Sequence, residues 1–586
     1  MTVKLNFSES VPSWTKLGSA EFFRIFEYPE EMEKAILEKA KEYGVSWNKE
    51  DLSITSEDDD SVNNFLEYLA RWYTKNKLLA ISNYDLILKK DNKMEGSSTF
   101  EPTPRPNTFK YVPSNSSNIK PRGLKEIPLE KLKKSEIEVV EGIKKNGIAN
   151  IPSKKIMSAK VYEKERFIEF SVIPTSGKKG VCFSCSKYDY LMQAKATQYP
   201  LIVGLEHYAN FYSYHTGQLG FCRTCAISNH LAYGRVLYNI SNKFSFMAIP
   251  ESSSILDLVY FMKIIDMSYP NAKITKELRN FPHIDELIMS KDNINFSNFL
   301  DNSTRGSGFY FLILTLFIAL FNSVEALARD LKDAKEAEDI KSNEIFNILL
   351  GNKAGAIKVE NTLIGTVFKS WSFILTNDDQ NIRHWRYPHS ENIIKEISRI
   401  KKNCGIKNFL EIVQKLIYSS GSNIIDIRRE DFSRSILMGK PEILLLEQAV
   451  WDIMASEKHR KIPYGIDRLA TCLVGKRVGV KNMEENQILK ECTRIGITIA
   501  DLAIEDKSKS ILYELRSIGN AQAFRSFIER FTFKCVSLGR QPTITNDFIT
   551  KLFEGENWKE YKSIIAIVAN QNYSYKLLKK EEELEQ

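Results

Sequence analysis

The chain carries no Gly-x-x-x-x-Gly-Lys loop to cradle a nucleotide, no adjacent His-Asp pair of a metal-dependent phosphohydrolase, and no Gly-Gly-Asp-Asp turn of a polymerase palm. Histidine is scarce and dispersed, 7 in 586 residues, and no Ser or Cys nucleophile stands out with a convincing base. These absences weigh against an enzyme and for a binding subunit. Long hydrophobic runs are missing too. The nearest approach, Phe309 to Phe321, is 13 residues broken only by Thr315; a membrane span needs ~20, so this run reads as a buried core helix and no membrane partner is expected. The opening MTVKLNFSES has neither the basic start nor the apolar core of a secretory signal, which predicts a cytoplasmic protein.

Cysteine is sparse as well, 8 residues, yet four of them form Cys182-Phe-Ser-Cys185 and Cys222-Arg-Thr-Cys225, separated by 36 residues. Chance placement would give roughly 0.1 Cys-x-x-Cys pairs in such a chain, so two clustered ones call for an explanation. Each hook presents two sulfurs from one tight turn, and two hooks complete the tetrahedron that Zn2+ accepts. Four protein ligands leave no position for water, so the expected site is structural, with one Zn2+ per chain. A pair of disulfides is the competing reading. His207, His215 and His230 find no vacancy beside a complete Cys set and read as surface or phosphate-facing residues. Cys404, Cys472, Cys492 and Cys535 are scattered and read as reduced thiols.

What is present is otherwise ordinary: 43% hydrophobic, 27% charged, 11% aromatic, with a net charge of +8. The length implies two to four domains, and the basic balance favours nucleic acid as a partner. Two short helices split at Pro29 are predicted between Ser19 and Tyr43, then another from Ser61 to Lys77 behind the acidic run Glu57 to Asp60, which suits a helix N-terminus. Residues 89–125, rich in Pro, Ser and Asn, read as an irregular loop. Arg105, Lys110, Lys120 and Arg122 alternate there with Phe109 and Tyr111, a pattern suited to phosphate contact plus base stacking, or to a solvated linker. Lys160 to Ile173 and Arg235 to Ile249 alternate like hairpins and flank the metal loop, so the zinc unit is expected to project from a small antiparallel sheet.

From Val172 to Ile249 there are seven basic residues (Lys178, Lys179, Lys187, Lys195, Arg223, Arg235, Lys243) against Asp189 and Glu206, which is +5 of the total +8. Aromatic residues such as Tyr188, Tyr190 and Phe211 are interleaved with them, the composition that sequence-independent nucleic-acid binding asks for, although these rings could equally fill a core. Arg383-His-Trp-Arg386-Tyr387 is a second patch of this kind, or a structured turn. Beyond Met438 the pattern is almost wholly helical. Ile488, Cys492, Ile495, Ile499 and Leu502 form one stripe and Phe524, Phe527, Ile528 and Phe531 another. Arg516, Arg525, Arg530, Lys534 and Arg540 are left for the opposite faces or helix ends.

The order Cys182-x-x-Cys185, Pro200-Leu-Ile-Val-Gly, Tyr208-Ala-Asn210-Phe211-Tyr212, Cys222-x-x-Cys225 resembles the twin Cys-x-x-Cys large-subunit family of type I (A/B-like) CRISPR interference complexes, known as Cascade. Leu512-Tyr-Glu-Leu515-Arg516-Ser-Ile-Gly-Asn520, followed by Phe524 and Arg530, is similar to that family's closing helical region. The first 150 or so residues carry no matching motif. The resemblance implies a prokaryotic, non-catalytic subunit of an antiviral, RNA-guided complex. It would recognise a protospacer-adjacent motif, help stabilise the R-loop and recruit a separate helicase-nuclease. Guide RNA, target DNA and the complex's backbone and small subunits are its implied partners, and base pairing with the guide reads the sequence. A zinc-containing nuclease or transposase, which needs carboxylates converging on Mg2+, and a zinc-stabilised scaffold that binds only protein are the alternatives.

The expected fold is therefore α+β. A mixed region, 1–175, precedes a zinc-ribbon-like insertion on a small antiparallel sheet, 176–233. An α+β body, 234–437, and an all-α bundle, 438–586, complete the chain. The candidate ligands are Cys182, Cys185, Cys222 and Cys225. The candidate nucleic-acid contacts are Arg105, Lys110, Lys120, Arg122, Lys178, Lys179, Lys187, Lys195, Arg383, Arg386, Arg516, Arg525 and Arg530.

Overall fold

A computed structural model describes residues 2–90, 98–104, 110–113, 159–162, 173–175, 177, 179–193, 220–240, 244–268, 309–336, 370–377, 382–387, 391–420, 423–440, 442–456, 461–477, 487–540, 544, 546–553 and 557–585. The chain divides into two compact units. One comprises Met1–Met289 and Ser323–His389, the other Ser290–Asn322 and Ser390–Gln586. The helical unit thus begins at Ser390 rather than Met438 and also takes the Phe309 to Phe321 run.

The first unit is α+β. Strand β1 (Val3–Asn6) leads into helix α1 (Ser13–Glu27), a 3-10 turn (Glu31–Glu33) and α2 (Lys34–Glu42). The break falls at Pro29, as predicted, and Gly44 ends α2 at φ 62°, a conformation glycine adopts without a Cβ penalty. Strands β2 (Ser46–Asn48) and β3 (Ser53–Ser56) complete a three-stranded antiparallel sheet in the order β1-β3-β2. Helix α3 (Asp59–Lys77) follows, and Asp58 accepts from the Ser61 amide at 2.7 Å, so the acidic run does serve a helix N-terminus.

The segment read as an irregular loop contains sheet. The 13-residue β4 (Leu78–Lys90) pairs antiparallel with β5 (Ser98–Pro104), β6 (Lys110–Pro113) and β7 (Ala159–Tyr162). Ser-Thr-Phe-Glu and Lys-Tyr-Val suit strands, and prolines are tolerated where a strand begins, ends or lies at an edge. The start of the expected Lys160 to Ile173 hairpin is drawn to β4 instead.

Short strands β8 (Lys179–Val181), β9 (Tyr188–Tyr190), β10 (Met192–Gln193) and β11 (Gly220–Phe221) precede helix α4 (Arg223–Ala232). The hairpin of β12 (Leu237–Ile240) and β13 (Phe244–Glu251) forms as expected. Helix α5 (Ile255–Ser268) comes next, and β13 continues into β14 (Ser370–Asn377) and β15 (Ile382–Tyr387) to give a four-stranded antiparallel sheet.

Helix α1 is buried from Trp14 to Phe26 and packs on α4, α5 and β13. Phe7, Phe22, Phe23, Phe26 and Phe65 form an aromatic cluster at one end. At the other, α1 and α4 approach so closely that a Cβ on Gly18 would lie 1.6 Å from the Ser228 carbonyl oxygen. Polar contacts hold that crossing. Trp14 Nε1 donates to the Asn229 carbonyl at 3.1 Å, Thr15 Oγ1 to Asn229 Oδ1 at 2.7 Å, and the Ser19 and Ser228 hydroxyls meet at 2.9 Å. A buried ionic network joins Arg24 to Glu21 and Glu33, and Arg235 to Glu21 and Asp266. Breaking one partner of such a network strands a buried charge.

Helix α6 (Phe309–Glu336) contributes residues to both units. From Phe309 to Asn322 every residue except Tyr310 is buried, so the apolar run is core, and among the described residues no helix is long and apolar enough to cross a membrane. The second unit continues with α7 (Glu391–Asn403), α8 (Ile406–Gln414), the small hairpin β16 (Tyr418–Ser420) and β17 (Asn423–Ile425), α9 (Ile427–Leu437), α10 (Ile443–Ala455) and α11 (Ile466–Arg477). Helices α12 (Gln487–Glu505), α13 (Ser510–Ser517), α14 (Ala521–Ser537), α15 (Asn546–Leu552) and α16 (Trp558–Glu585) complete it. The predicted stripes are buried, with only Ile488 half exposed. Gly496 of α12 admits Val568 of α16, whose Cβ would lie 2.7 Å from an added methyl. In the same bundle Lys562 and Ser563 of α16 reach the buried Glu447 of α10 at 3.0 and 2.6 Å.

Candidate metal centre

The two hooks are built differently. Cys182 and Cys185 sit in the turn between β8 and β9. The Cys182 amide donates to the Lys187 carbonyl at 2.8 Å and the Ser186 amide to the Cys182 carbonyl at 2.9 Å, and Ser186 takes φ 59° to close the turn. Cys222 is the N-cap of α4 and Cys225 lies in its first turn. The second hook is therefore a helix start rather than the second knuckle of a ribbon, and α4 is built into the core: every residue from Arg223 to Ala232 is buried. The second half of the metal unit is thus built into the core rather than projecting from a sheet, because α4 has no exposed face.

The turn is tied to the helix by three contacts. The Phe183 amide donates to the Gly220 carbonyl at 2.9 Å, the Cys222 amide to Cys182 Sγ at 3.3 Å, and Arg223 bonds Asp189 of β9 at 2.9 Å. Arg223 also reaches Asp59 at 2.6 Å and Asn63 at 3.2 Å on α3. Ser184, inside the first hook, lies 3.3 Å from Thr15 of α1.

All four sulfurs lie within 4.8 Å of one another, and those of Cys185 and Cys222 are 3.5 Å apart. A tetrahedral four-thiolate zinc site requires sulfur separations of about 3.8 Å, so the donor set fits a metal ion. No disulfide joins them, and Cys404, Cys472, Cys492 and Cys535 are free thiols as expected. Cys182, Cys222 and Cys225 are buried and Cys185 is half-buried. Hydrogen bonds from Cys185, then Cys222 and Cys225, hold the Cys182 thiol far below the usual range, while bonding to Cys182 pushes Cys222 and Cys225 up. Four thiols this close share protons unless a cation replaces them, and the amides at the start of α4 further favour thiolate. Among the described residues this is the one group of three or more Cys, His, Asp or Glu side chains close enough to hold a metal.

His230 is neither at the surface nor facing phosphate. It is buried, Nε2 lies 3.2 Å from the Ala70 carbonyl, and burial drives its pKa down to about 4. His207 and His215 lie outside the described residues.

The candidate nucleic-acid contacts fare unevenly. Arg105, Lys120, Arg122, Lys178 and Lys195 lie outside the described residues, and Lys110 on β6 and Arg383 on β15 are described in their backbone alone. Lys179 is exposed with its ammonium 4.5 Å from the Tyr190 ring centroid, and Lys187 Nζ donates to the Asn6 carbonyl at 2.8 Å. Arg386 lies on a strand rather than in a turn, exposed but paired to Glu251 at 2.6 Å. In the bundle Arg525 pairs with Glu529 at 3.4 Å and Arg530 with Glu514, whereas Arg516 lies over the Trp451 ring at 5.3 Å. Of the +5 counted around the hooks, Arg223 and Arg235 are buried and paired with Asp59, Asp189, Glu21 and Asp266. The local excess of positive charge is thus smaller than the sequence count, because its partners come from distant segments. Two features escaped the sequence reading: Trp451 as the seat of Arg516, and exposed Phe183 within the first hook. The aromatic-beside-cysteine pattern of Phe183 was the available signal. Comparison with protein-family models, curated proteins and solved structures finds no match for the chain.

Proposed function

We propose that this chain is a zinc-stabilised, nucleic-acid-binding large subunit of a type I CRISPR surveillance complex, acting without catalysis of its own. The observation that carries the reading is the convergence of both hooks into one closed four-sulfur centre, since the twin Cys-x-x-Cys motifs are the residues on which the resemblance rests. Cys182, Cys185, Cys222 and Cys225 would hold Zn2+, which cross-links the β8–β9 turn to the start of α4 and supplies no reactive position. The α+β unit with its metal centre and the separate helical unit support the same reading, because the resemblance implies a body followed by a helical region lining a DNA strand. Exposed Arg516, which has no carboxylate partner among the described residues, suits that role better than Arg525 or Arg530.

Guide RNA, target DNA, the backbone and small subunits and a helicase-nuclease are the partners that follow from this proposal. The test is purification of the chain with the products of its neighbouring genes. Co-elution of guide RNA and of a multi-subunit particle is the expected result, and a chain that elutes alone and free of nucleic acid overturns it. For the nuclease or transposase alternative, incubation of the pure chain with single- and double-stranded DNA in Mg2+ and Mn2+ is decisive. No cleavage is expected, and cleavage that persists through purification would favour the enzyme.

A further inference from the structure

The metal turn displays apolar side chains that a purely structural cross-link does not need. Val181 is 64% exposed, Phe183 51% and Tyr188 70%. Val181 and Tyr188 are register partners across β8 and β9, and buried Cys182 separates exposed Val181 from exposed Phe183, so alternation puts the three on the outward side of the hairpin. Their rigidity comes from the turn itself, pinned by the Phe183 and Cys182 amides and by the edge-on packing of Phe183 against Phe221 at 6.4 Å.

Among the described residues of the hairpin, the charge left unpaired is positive. Lys179, two residues before Val181 on the same strand, meets no carboxylate among the described residues and its ammonium lies over the Tyr190 ring, while Lys187, level with buried Cys182, donates to the Asn6 carbonyl. The hairpin's single acid, Asp189, is consumed by Arg223. Exposed rings held beside an unneutralised ammonium group match the two components of an unpaired nucleic-acid strand, base faces and phosphates. A duplex offers its phosphates but keeps its base faces stacked on one another.

We infer that the β8–β9 metal turn is a stacking site for single-stranded nucleic acid, with Phe183 and Tyr188 as the base platforms and Lys179 as the phosphate contact. This rests on the nucleic-acid reading proposed above and narrows it to one surface and one form of the polymer. The metal's part is to hold the rings in place, so the bases cost little ordering of the protein when they bind.

The experiment uses the full chain, purified with its metal, and measures binding of fluorescent single-stranded DNA, single-stranded RNA and duplex DNA by anisotropy. Phe183→Ala and Tyr188→Ala should each weaken single-strand binding about 5- to 100-fold and leave duplex affinity unchanged. Tyr188→Phe keeps the ring and should bind like the native chain. Zinc content and circular dichroism of each variant check that the turn is intact; both residues are exposed, so no change is expected. The DNA and RNA arms identify which strand the turn prefers. Alanine variants that keep native single-strand affinity overturn the inference while leaving the nucleic-acid reading in place, and a patch that instead governs capture of a protein partner would show that same result. A native chain that binds none of the three probes overturns both.

Discussion

The Arg516 guanidinium lies over the Trp451 indole, 5.3 Å from the ring centroid, and this sets it apart from its neighbours in the bundle. Tyr513, one turn earlier on α13, is stacked on the same indole at 6.1 Å and is half exposed. Arg525, Arg530, Lys534 and Arg540 face Glu529, Glu514, Asp506 and Glu505. An arginine stacked on a ring keeps its N–H donors for a ligand, whereas one already paired must exchange one anion for another.

The consequence is measurable as salt dependence. Each phosphate neutralised adds about 0.7 to 0.9 to the slope of log affinity against log salt. Arg516→Ala should lower the slope by that amount and weaken binding alike for all sequences, while Arg525→Ala and Arg530→Ala leave it unchanged. The reverse pattern would place the phosphate track along α14 and remove Arg516 from it.

Metal analysis of protein purified without chelator should return one zinc per chain. Structural four-thiolate sites bind with apparent energies of about 10 to 16 kcal/mol, so Cys182→Ser should cost the first unit its cooperative unfolding and leave the second unit's transition in place. A native chain free of metal, or a Cys182→Ser protein that unfolds like the native one, would show that packing alone holds the turn.

Acid should loosen the first unit through His230. Burial lowers its pKa to about 4, against about 6.5 in an unfolded chain. Between those values the unfolded chain binds a proton that the folded chain refuses. Stability is therefore full above about pH 6.5 and falls as pH drops toward 4, by roughly 3 kcal/mol in all. His230→Gln retains a donor for the Ala70 carbonyl without the titration. Urea midpoints should fall more steeply with acidity in the native protein than in the variant, and parallel curves would show that His230 does not set this dependence.

Local patterns in the chain predict much of this structure. Spacing alone marks the four cysteines that come together, and the 3.6-residue stripes of α12 and α14 predict which side chains are buried. The Pro29 break, the Gly44 stop and the β12–β13 hairpin are equally local signals. What the sequence could not display are pairings made across it. Arg223 reads as a surface cation until Asp59, 164 positions away, closes on it, and Arg235 reads likewise until Glu21 does. Strand β4 takes in segments that look irregular alone, because a partner strand satisfies backbone groups that composition does not reveal. The helical start of the second hook escaped notice for a related reason. Between Cys222 and Ala232 the polar residues Arg223, Thr224, Ser228, Asn229 and His230 are buried along with the apolar ones, and a helix buried on all sides offers no exposed face for periodicity to mark.

Gly18 links the fold to the candidate metal centre. It lies where α1 crosses α4, and a methyl there would sit 1.6 Å from the Ser228 carbonyl oxygen and 2.9 Å from the Ala232 amide nitrogen. Both obstacles are backbone, so no side-chain rotation relieves the clash and the helices must part. Overpacking of this kind costs about 1 to 3 kcal/mol and more where backbone has to move. Because α4 is N-capped by Cys222 and carries Cys225, parting the helices also displaces two of the four sulfurs from the two on the turn. Gly18→Ala should therefore lower both thermal stability and zinc retention under a competing chelator. Gly496→Ala serves as the control. It clashes with Val568 and the Ile565 carbonyl in the other unit, and should destabilise that unit while leaving zinc retention native. If Gly18→Ala destabilises the chain and the metal is held as before, the position of α4 is fixed by the sulfurs rather than by its packing on α1.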